Sequence, residues 1–311
     1  GPERLHPVAA KCWLTRCLII LMAWVMCWEM NSINYVPCIW PTPRHLRPSV
    51  ARGDRIPSSP ARRPPSPRGR ASGRLVEEGK MLTAKMKAVT TSTRLIDLLD
   101  GVVDRLVFNK FHASAAYHSL ATWKRKRRLQ TNHRASSVLE RLHQRVGKMI
   151  YGKKLGPREG ANVFWAAAIL VDAVPNVTQL VPALVKVLPK QMSGMNAQEL
   201  SNSLWAVAQM QETEPSVLRL VPAVVAQIPS KVADMIPQHL SNCFWASAQL
   251  RDTEPTVLKV VPLITQEIQR LALTKSLIPQ HLSNCLWAVA QLKDLEPSVL
   301  DLVPVLTDQI I

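Results

Sequence analysis

Four tryptophans, Trp165, Trp205, Trp245 and Trp287, recur 40, 40 and 42 residues apart, each inside the same local pattern. The blocks GANVFWAAAIL, ELSNSLWAVAQM, HLSNCFWASAQL and HLSNCLWAVAQL are each followed by a second: AVPNVTQLVPALVKVL, TEPSVLRLVPAVVAQI, TEPTVLKVVPLITQEI and LEPSVLDLVPVLTDQI. A period near 40 with two segments per unit restricts the chain severely. One helix pair of that length cannot bury its own apolar face, so the units must stack on one another. The expected fold class is all-α, an α-solenoid of helix-pair repeats. Only 11 glycines stand beside 24 prolines, which argues against an open α/β sheet with Gly-rich phosphate turns.

The second segment of each unit reads as one amphipathic helix. Val217, Val221, Val224 and Ile228 fall at i, i+4, i+7 and i+11 and share a stripe. Pro215, Pro255 and Pro297 stand in a first turn, where a missing N–H costs nothing. Pro182, Pro222, Pro262 and Pro304 lie further in, where the ring removes a backbone bond, and a kink at one register of every unit is expected. The two extra residues of the longest interval fall between segments, in QRLALTKSLI against PSKVADMI, where a loop absorbs them.

The first segment is apolar nearly all round, as in a helix sandwiched between neighbours. Its polar exceptions recur: Asn162, Asn202, Asn242 and Asn284, then Gln209, Gln249 and Gln291. Asn202 stands three residues before Trp205 and Gln209 four after it, so stacked units would align all three into ladders. Two roles compete for them. In one, each amide satisfies backbone groups of the adjacent unit and Trp fills the core between units. In the other, an exposed Asn/Trp/Gln ladder reads an extended ligand, either RNA bases or a peptide backbone.

Charge divides the chain. Residues 1–160 hold 30 basic and 10 acidic residues, whereas residues 161–311 hold 9 and 12. The basic half calls for an anionic partner. Within residues 105–160 the cations concentrate in the run Lys124, Arg125, Lys126, Arg127, Arg128 and around Lys153, Lys154 and Arg158. FNKFHASAAYHSLATW (108–123) and SSVLERLHQRVGKMI (136–150) repeat the helix-pair grammar, and aligning Ala121 with Ala208 makes them a divergent first unit. Its connecting loop would display the basic run beside the stack, a place suited to phosphate contacts.

From Cys17 to Trp28 run twelve uncharged residues behind Lys11 and Arg16, short for a bilayer span and suited to a signal peptide. Residues 41–74 hold eight Pro, nine Arg, five Ser and one acid, Asp54, a composition that buries no core. Together they resemble a two-part organelle address. The expected organisation is a hydrophobic signal-like segment at 1–40 and a disordered Pro/Arg/Ser-rich linker or transit region at 41–90. A basic helical region follows at 91–160, then four helix-pair repeats at 161–311, an array expected to be truncated at its C-terminal end.

Nothing in the sequence announces catalysis. Cys243 and Cys285 occupy one repeat position on apolar faces, where small core packing is expected, and no C-x-x-C occurs. Phosphate-loop, nucleophile-elbow, zinc-helix and dinucleotide patterns are missing from the chain. His239 and His281 share a register with no acidic partner and read as surface residues at helix starts. Glu214, Glu254 and Glu296 each precede a proline at a helix start, where negative charge suits the dipole. No enzyme, metal, cofactor or small-molecule substrate is expected.

LSNSLWAVAQM, LSNCFWASAQL and LSNCLWAVAQL resemble the N-x-L-W-A-x-A-x-L core of octotricopeptide-type and related heptatricopeptide helical repeats, across residues 161–311. Unit one departs, with Gly160 in place of the leucine. Proteins of that kind bind RNA in organelles and often carry a C-terminal RAP domain, whose pattern is not found here. The resemblance implies single-stranded RNA as ligand and a role in RNA processing, stability or translation in a plastid or mitochondrion. Other organelle RNA-processing proteins would be partners, and membrane contact would run through the N-terminal segment alone. The competing function is an armadillo-like interaction scaffold binding an extended peptide, since the repeats are slightly acidic. Lys and Arg along the ladder face favour RNA; a neutral or acidic face favours a peptide.

Overall fold

The computed structural model describes residues 67–130, 133–174 and 176–309, which are helical with no strand. The hydrophobic segment at 17–28 and the proposed address up to residue 66 lie outside the described residues. Twelve α-helices follow one another: α1 (Pro67–Ala88), α2 (Ser92–Val102), α3 (Lys110–Arg125), α4 (His133–Tyr151), α5 (Pro157–Leu170), α6 (Val181–Val187), α7 (Ala197–Met210), α8 (Val221–Val225), α9 (Pro237–Leu250), α10 (Val261–Ala272), α11 (Pro279–Leu292) and α12 (Leu302–Thr307). None of them is long and apolar enough to cross a membrane.

The first helices of successive units, α3, α5, α7, α9 and α11, pack on one another in chain order. Behind them lies a second layer of α4, α6, α8, α10 and α12 with short 3-10 turns between. The segments 108–123 and 136–150 do form a helix pair, and α3 packs on α5 as α5 packs on α7. One more pair precedes it: α1 packs on α3, and α2 packs on α3 and α4. This corrects the expectation that residues 41–90 lack structure, because 67–88 form α1. Past Arg74 the composition turns apolar, and Leu82 and Met86, one turn apart, are buried at 5% and 6% exposure.

The second segments also differ from expectation. Their apolar stripe is buried as read, with Val217, Val221, Val224 and Ile228 all at 0% exposure. They are not kinked α-helices. Each opens with a 3-10 turn, such as Pro215–Leu220, and becomes α-helical only at the second proline, as at Val221–Val225. The reason is local. Pro222 has no N–H to give to the carbonyl four residues back, so the preceding turn closes by the shorter bond from Val221 N to Leu218 O. Pro222 then stands in the first turn of a new helix, where an N–H is surplus. The two-residue excess is not a plain loop either, because α10 continues unbroken to Ala272 where its counterpart α8 ends at Val225.

At Gly160, which departs from the leucine register, any side chain would require Leu188 to shift. A Cβ at this position would lie 2.9 Å from Leu188 Cδ2. Two helix ends are finished at some cost. Arg127 and Lys153 adopt φ of 53° just past α3 and α4, and close the ends through Arg128 N to Trp123 O (2.8 Å) and Lys154 N to Met149 O (2.8 Å). That left-handed position normally takes glycine. Arg127→Gly and Lys153→Gly should therefore each raise stability by about 0.5–1 kcal/mol, read as an upward shift of the unfolding midpoint. A downward shift would mean that these side chains hold contacts worth more than the strain.

Candidate functional site

Aligning Ala121 with Ala208 carries His118 onto the tryptophan register, and in the structure its ring meets the next one along. His118 stacks on Trp165 with centroids 5.6 Å apart and planes 24° apart. Further along, Trp205 and Trp245 are 6.4 Å apart, and Trp245 and Trp287 are 6.1 Å apart. The five rings do not share one environment. Trp165 is 1% exposed, while Trp205, Trp245, Trp287 and His118 are half-buried. The core role proposed for tryptophan describes Trp165 fully, while Trp205, Trp245 and Trp287 pack against the core and stay partly accessible.

The asparagines lie deeper. Asn162, Asn202 and Asn242 are 5%, 2% and 3% exposed, and only Asn284, on the last first-layer helix described, is half-buried. Asn162 Nδ2 donates to Ser114 Oγ (3.0 Å) across the α3–α5 contact, and Asn202 and Asn242 are engaged as well. Asn162 thus joins neighbouring helix pairs, and Asn202 and Asn242 are too deeply buried to face a ligand in this arrangement. The glutamines complete the accessible row: Gln209 is exposed, and Gln249 and Gln291 are half-buried. Seven residues before each ring stands a second row, polar after its first member, that the sequence reading did not single out. It runs Phe111, Arg158, Gln198, Gln238 and Gln280. Helical spacing could have found it, since it lies two turns from the tryptophan on the same face.

The basic run sits where α3 ends. Lys124 Nζ pairs with Asp172 at 2.7 Å, and Arg125 is half-buried, leaving Lys126, Arg127 and Arg128 exposed. Other cations of the front half are occupied on the second layer. Arg141 clamps Asp100 and Asp104 at 2.7 and 2.6 Å, and Arg134 pairs with Asp97 and Asp100 at 3.2 and 3.0 Å. The hydrogen bonds from Arg134 and then Arg141 hold the Asp100 carboxyl below its ordinary range. Further along the ladder edge, Arg251 and Lys293 each pair with the aspartate that follows, Asp252 (3.2 Å) and Asp294 (2.9 Å). Exposed positive charge on this face therefore collects at its α3–α5 end.

His239 and His281 stand at helix starts as read, half-buried and not fully exposed. They occupy the third position of their helices, in register with His112, Glu159 and Glu199. What this register needs is an acceptor for the N-cap backbone N–H. Glu159 Oε2 accepts from Gly156 N and Glu199 Oε2 from Asn196 N, both at 3.0 Å. His112 Nδ1 accepts from Asn109 N (3.1 Å) and His281 Nδ1 from Ile278 N (3.4 Å). An accepting ring is a neutral ring; His239 Nδ1 is buried with no such partner, and burial pushes both His239 and His281 down to about 4. Burial, then the charge of Arg125, does the same to His118. Unfolded, these rings protonate near 6.5; folded, they stay neutral to about 4. Over that window the unfolded chain holds more protons, so stability is complete above it and falls as pH falls. The unfolding midpoint should drop between pH 7 and pH 5 by several degrees, roughly. Replacing the three histidines by glutamine should flatten the drop. An equal drop in that triple variant would place the acid sensitivity elsewhere.

Cys243 and Cys285 are fully buried free thiols, pushed up to about 12 by burial, as their expected packing role requires. Among the described residues, no group of three His, Cys, Asp or Glu is placed to hold a metal ion. No protein-family model matches the sequence, and comparison with curated proteins finds no relative.

Proposed function

We propose that the chain is an α-solenoid of helix pairs with a period near 40 residues, and that it binds single-stranded RNA along its aromatic register, in organelle RNA processing, stability or translation. The observation that carries this reading is the row Trp205, Trp245 and Trp287, half-buried on the consecutive helices α7, α9 and α11. Half-buried His118 on α3 lies beyond the buried Trp165 of α5, and the exposed cations stand at that α3–α5 end. Bases of any identity stack on aromatic side chains, so such a row suits a strand without requiring a fixed sequence. The glutamines beside it offer donors and acceptors to base edges. The repeats are slightly acidic, so the phosphates need the exposed Lys126, Arg127, Arg128 and Arg158. The resemblance of the LSNxLWAxAQ blocks to octotricopeptide-type repeats supports the same ligand.

A peptide is the second reading, and one observation favours it. From α7 onward the rows flanking the tryptophans are Gln198, Gln238, Gln280 and Gln209, Gln249, Gln291, all uncharged. A neutral amide face suits a peptide backbone. Titrating the full chain with a labelled single strand, a duplex of the same sequence and an uncharged extended peptide separates the two. The RNA reading expects the strand to bind, and the duplex to bind roughly tenfold more weakly because its bases are already stacked. Binding of the peptide alone would replace it.

A further inference from the structure

Lys153 and Lys154 stand in the loop that leads from α4 to α5, outside both the tryptophan row and the turn that ends α3. Just before them, exposed Lys148 and the 74% exposed Tyr151 lie three residues apart on α4. The next second-layer element supplies two more cations. Lys186 on α6 and Lys190 in the 3-10 turn after it are exposed and four residues apart. The two groups are fastened side by side. Gln191 Nε2 donates to Leu155 O at 2.9 Å, so their chain neighbours Lys190 and Lys154 flank one hydrogen bond, and α4 packs on α6.

This charge is left standing. From residue 141 to 198 the acids are Glu159 and Asp172, which pair with Lys110 (3.2 Å) and Lys124 (2.7 Å). Lys148, Lys153, Lys154, Lys186 and Lys190 make no ion pair among the described residues. Lys153 also holds φ at 53°, in the left-handed region where glycine is the relaxed choice. A lysine there costs stability and adds a cation, which points to a use for the charge.

The layout selects the ligand. Tyr151 is the one exposed aromatic ring of this patch, so unpaired bases would have no series of rings to stack on. Lysines hold phosphates as point charges and do not depend on the base. Packed helices stand about 8–10 Å apart, too far for one backbone to follow both rows of charge. Two paired backbones suit two rows, and a duplex presents chiefly phosphates and 2′-hydroxyls.

We propose that the lysine surface of α4, α6 and the loop before α5 binds the backbone of a double-helical stem. The stem belongs to the RNA whose unpaired tract lies on the tryptophans, so the proposal rests on the RNA reading and narrows the partner to a strand adjoining a hairpin. The same loop leads, four residues beyond Lys154, to Arg158 in the row that flanks the tryptophans, which brings stem and strand onto one molecule.

The test titrates the full chain with a single strand, a hairpin, and that hairpin carrying the strand as a tail. The tailed hairpin should bind at least about tenfold more tightly than the strand, because the second contact becomes intramolecular. Lys153→Gln, Lys154→Gln, Lys186→Gln and Lys190→Gln combined should erase that gain and leave strand affinity unchanged. All four side chains are exposed, and circular dichroism checks that the helices persist. A tailed hairpin no tighter than the strand, or a gain that survives the four substitutions, overturns the proposal and leaves the strand reading standing. Binding of the hairpin through these lysines with none of the strand keeps the lysine surface and removes the tryptophan row. Failure of all three RNAs at low salt removes both. Lysine-dependent binding to vesicles of anionic lipid, with no gain from the hairpin, would assign the patch to a membrane surface and overturn the proposal as well.

Discussion

Replacing Trp165 by alanine should lower the stability of the stack by about 3–5 kcal/mol, the loss typical of a large aromatic removed from a closed core. Trp165 is 1% exposed and lies under the His118 ring between α3 and α5. Removing it opens a void at the joint between the divergent first unit and the regular repeats. The same substitution at Trp245 should cost less, about 1–2 kcal/mol, because that ring is half-exposed and loses mainly its edge contacts with Trp205 and Trp287. Thermal unfolding of the two variants makes the comparison. Equal shifts would mean that Trp245 is as much a core residue as Trp165, and would remove the accessible row from the binding account.

The largest effect on binding should come from that row. Base stacking on an aromatic side chain contributes about 1–3 kcal/mol per base. Trp205→Ala, Trp245→Ala and Trp287→Ala combined should thus weaken a single strand at least roughly a hundredfold. Asn202→Ala and Asn242→Ala should act through stability instead, since both amides are buried between units. Binding by the triple variant at wild-type affinity would move the strand to another face. Circular dichroism of the same variant shows whether the helices persist, which keeps loss of binding distinct from loss of fold.

Much of this arrangement is legible in the sequence because it is periodic. The tryptophan interval sets the unit, and the stripe through Val217, Val221, Val224 and Ile228 marks the buried face whether the backbone is α or 3-10. What the pattern leaves open is depth. Asn202, Trp205 and Gln209 share one stripe, yet the asparagine is buried, the tryptophan half-buried and the glutamine exposed, because the adjacent unit covers one end of that stripe only. Shared chemistry also hides behind unlike letters. Glu159, Glu199, His239 and His281 occupy one register, and an acceptor for the N-cap, not a charge, links Glu159, Glu199 and His281. The pair α1–α2 carries no tryptophan block, so periodicity could not find it.

The salt dependence of RNA affinity tests the central claim most directly. On a single strand each phosphate neutralised contributes about 0.7 to the slope of log affinity against log salt concentration. Lys126, Arg127 and Arg128 are the exposed members of the basic run, so neutralising all three should flatten the slope by about 2. The tryptophan triple variant should lose affinity with its slope unchanged, because aromatic rings release no counterions. Those two results together place phosphates at the α3 end and bases along the tryptophans. A slope untouched by the loss of the three cations, or no single-strand binding at low salt by the intact chain, would contradict the account and leave the uncharged ladder to a peptide.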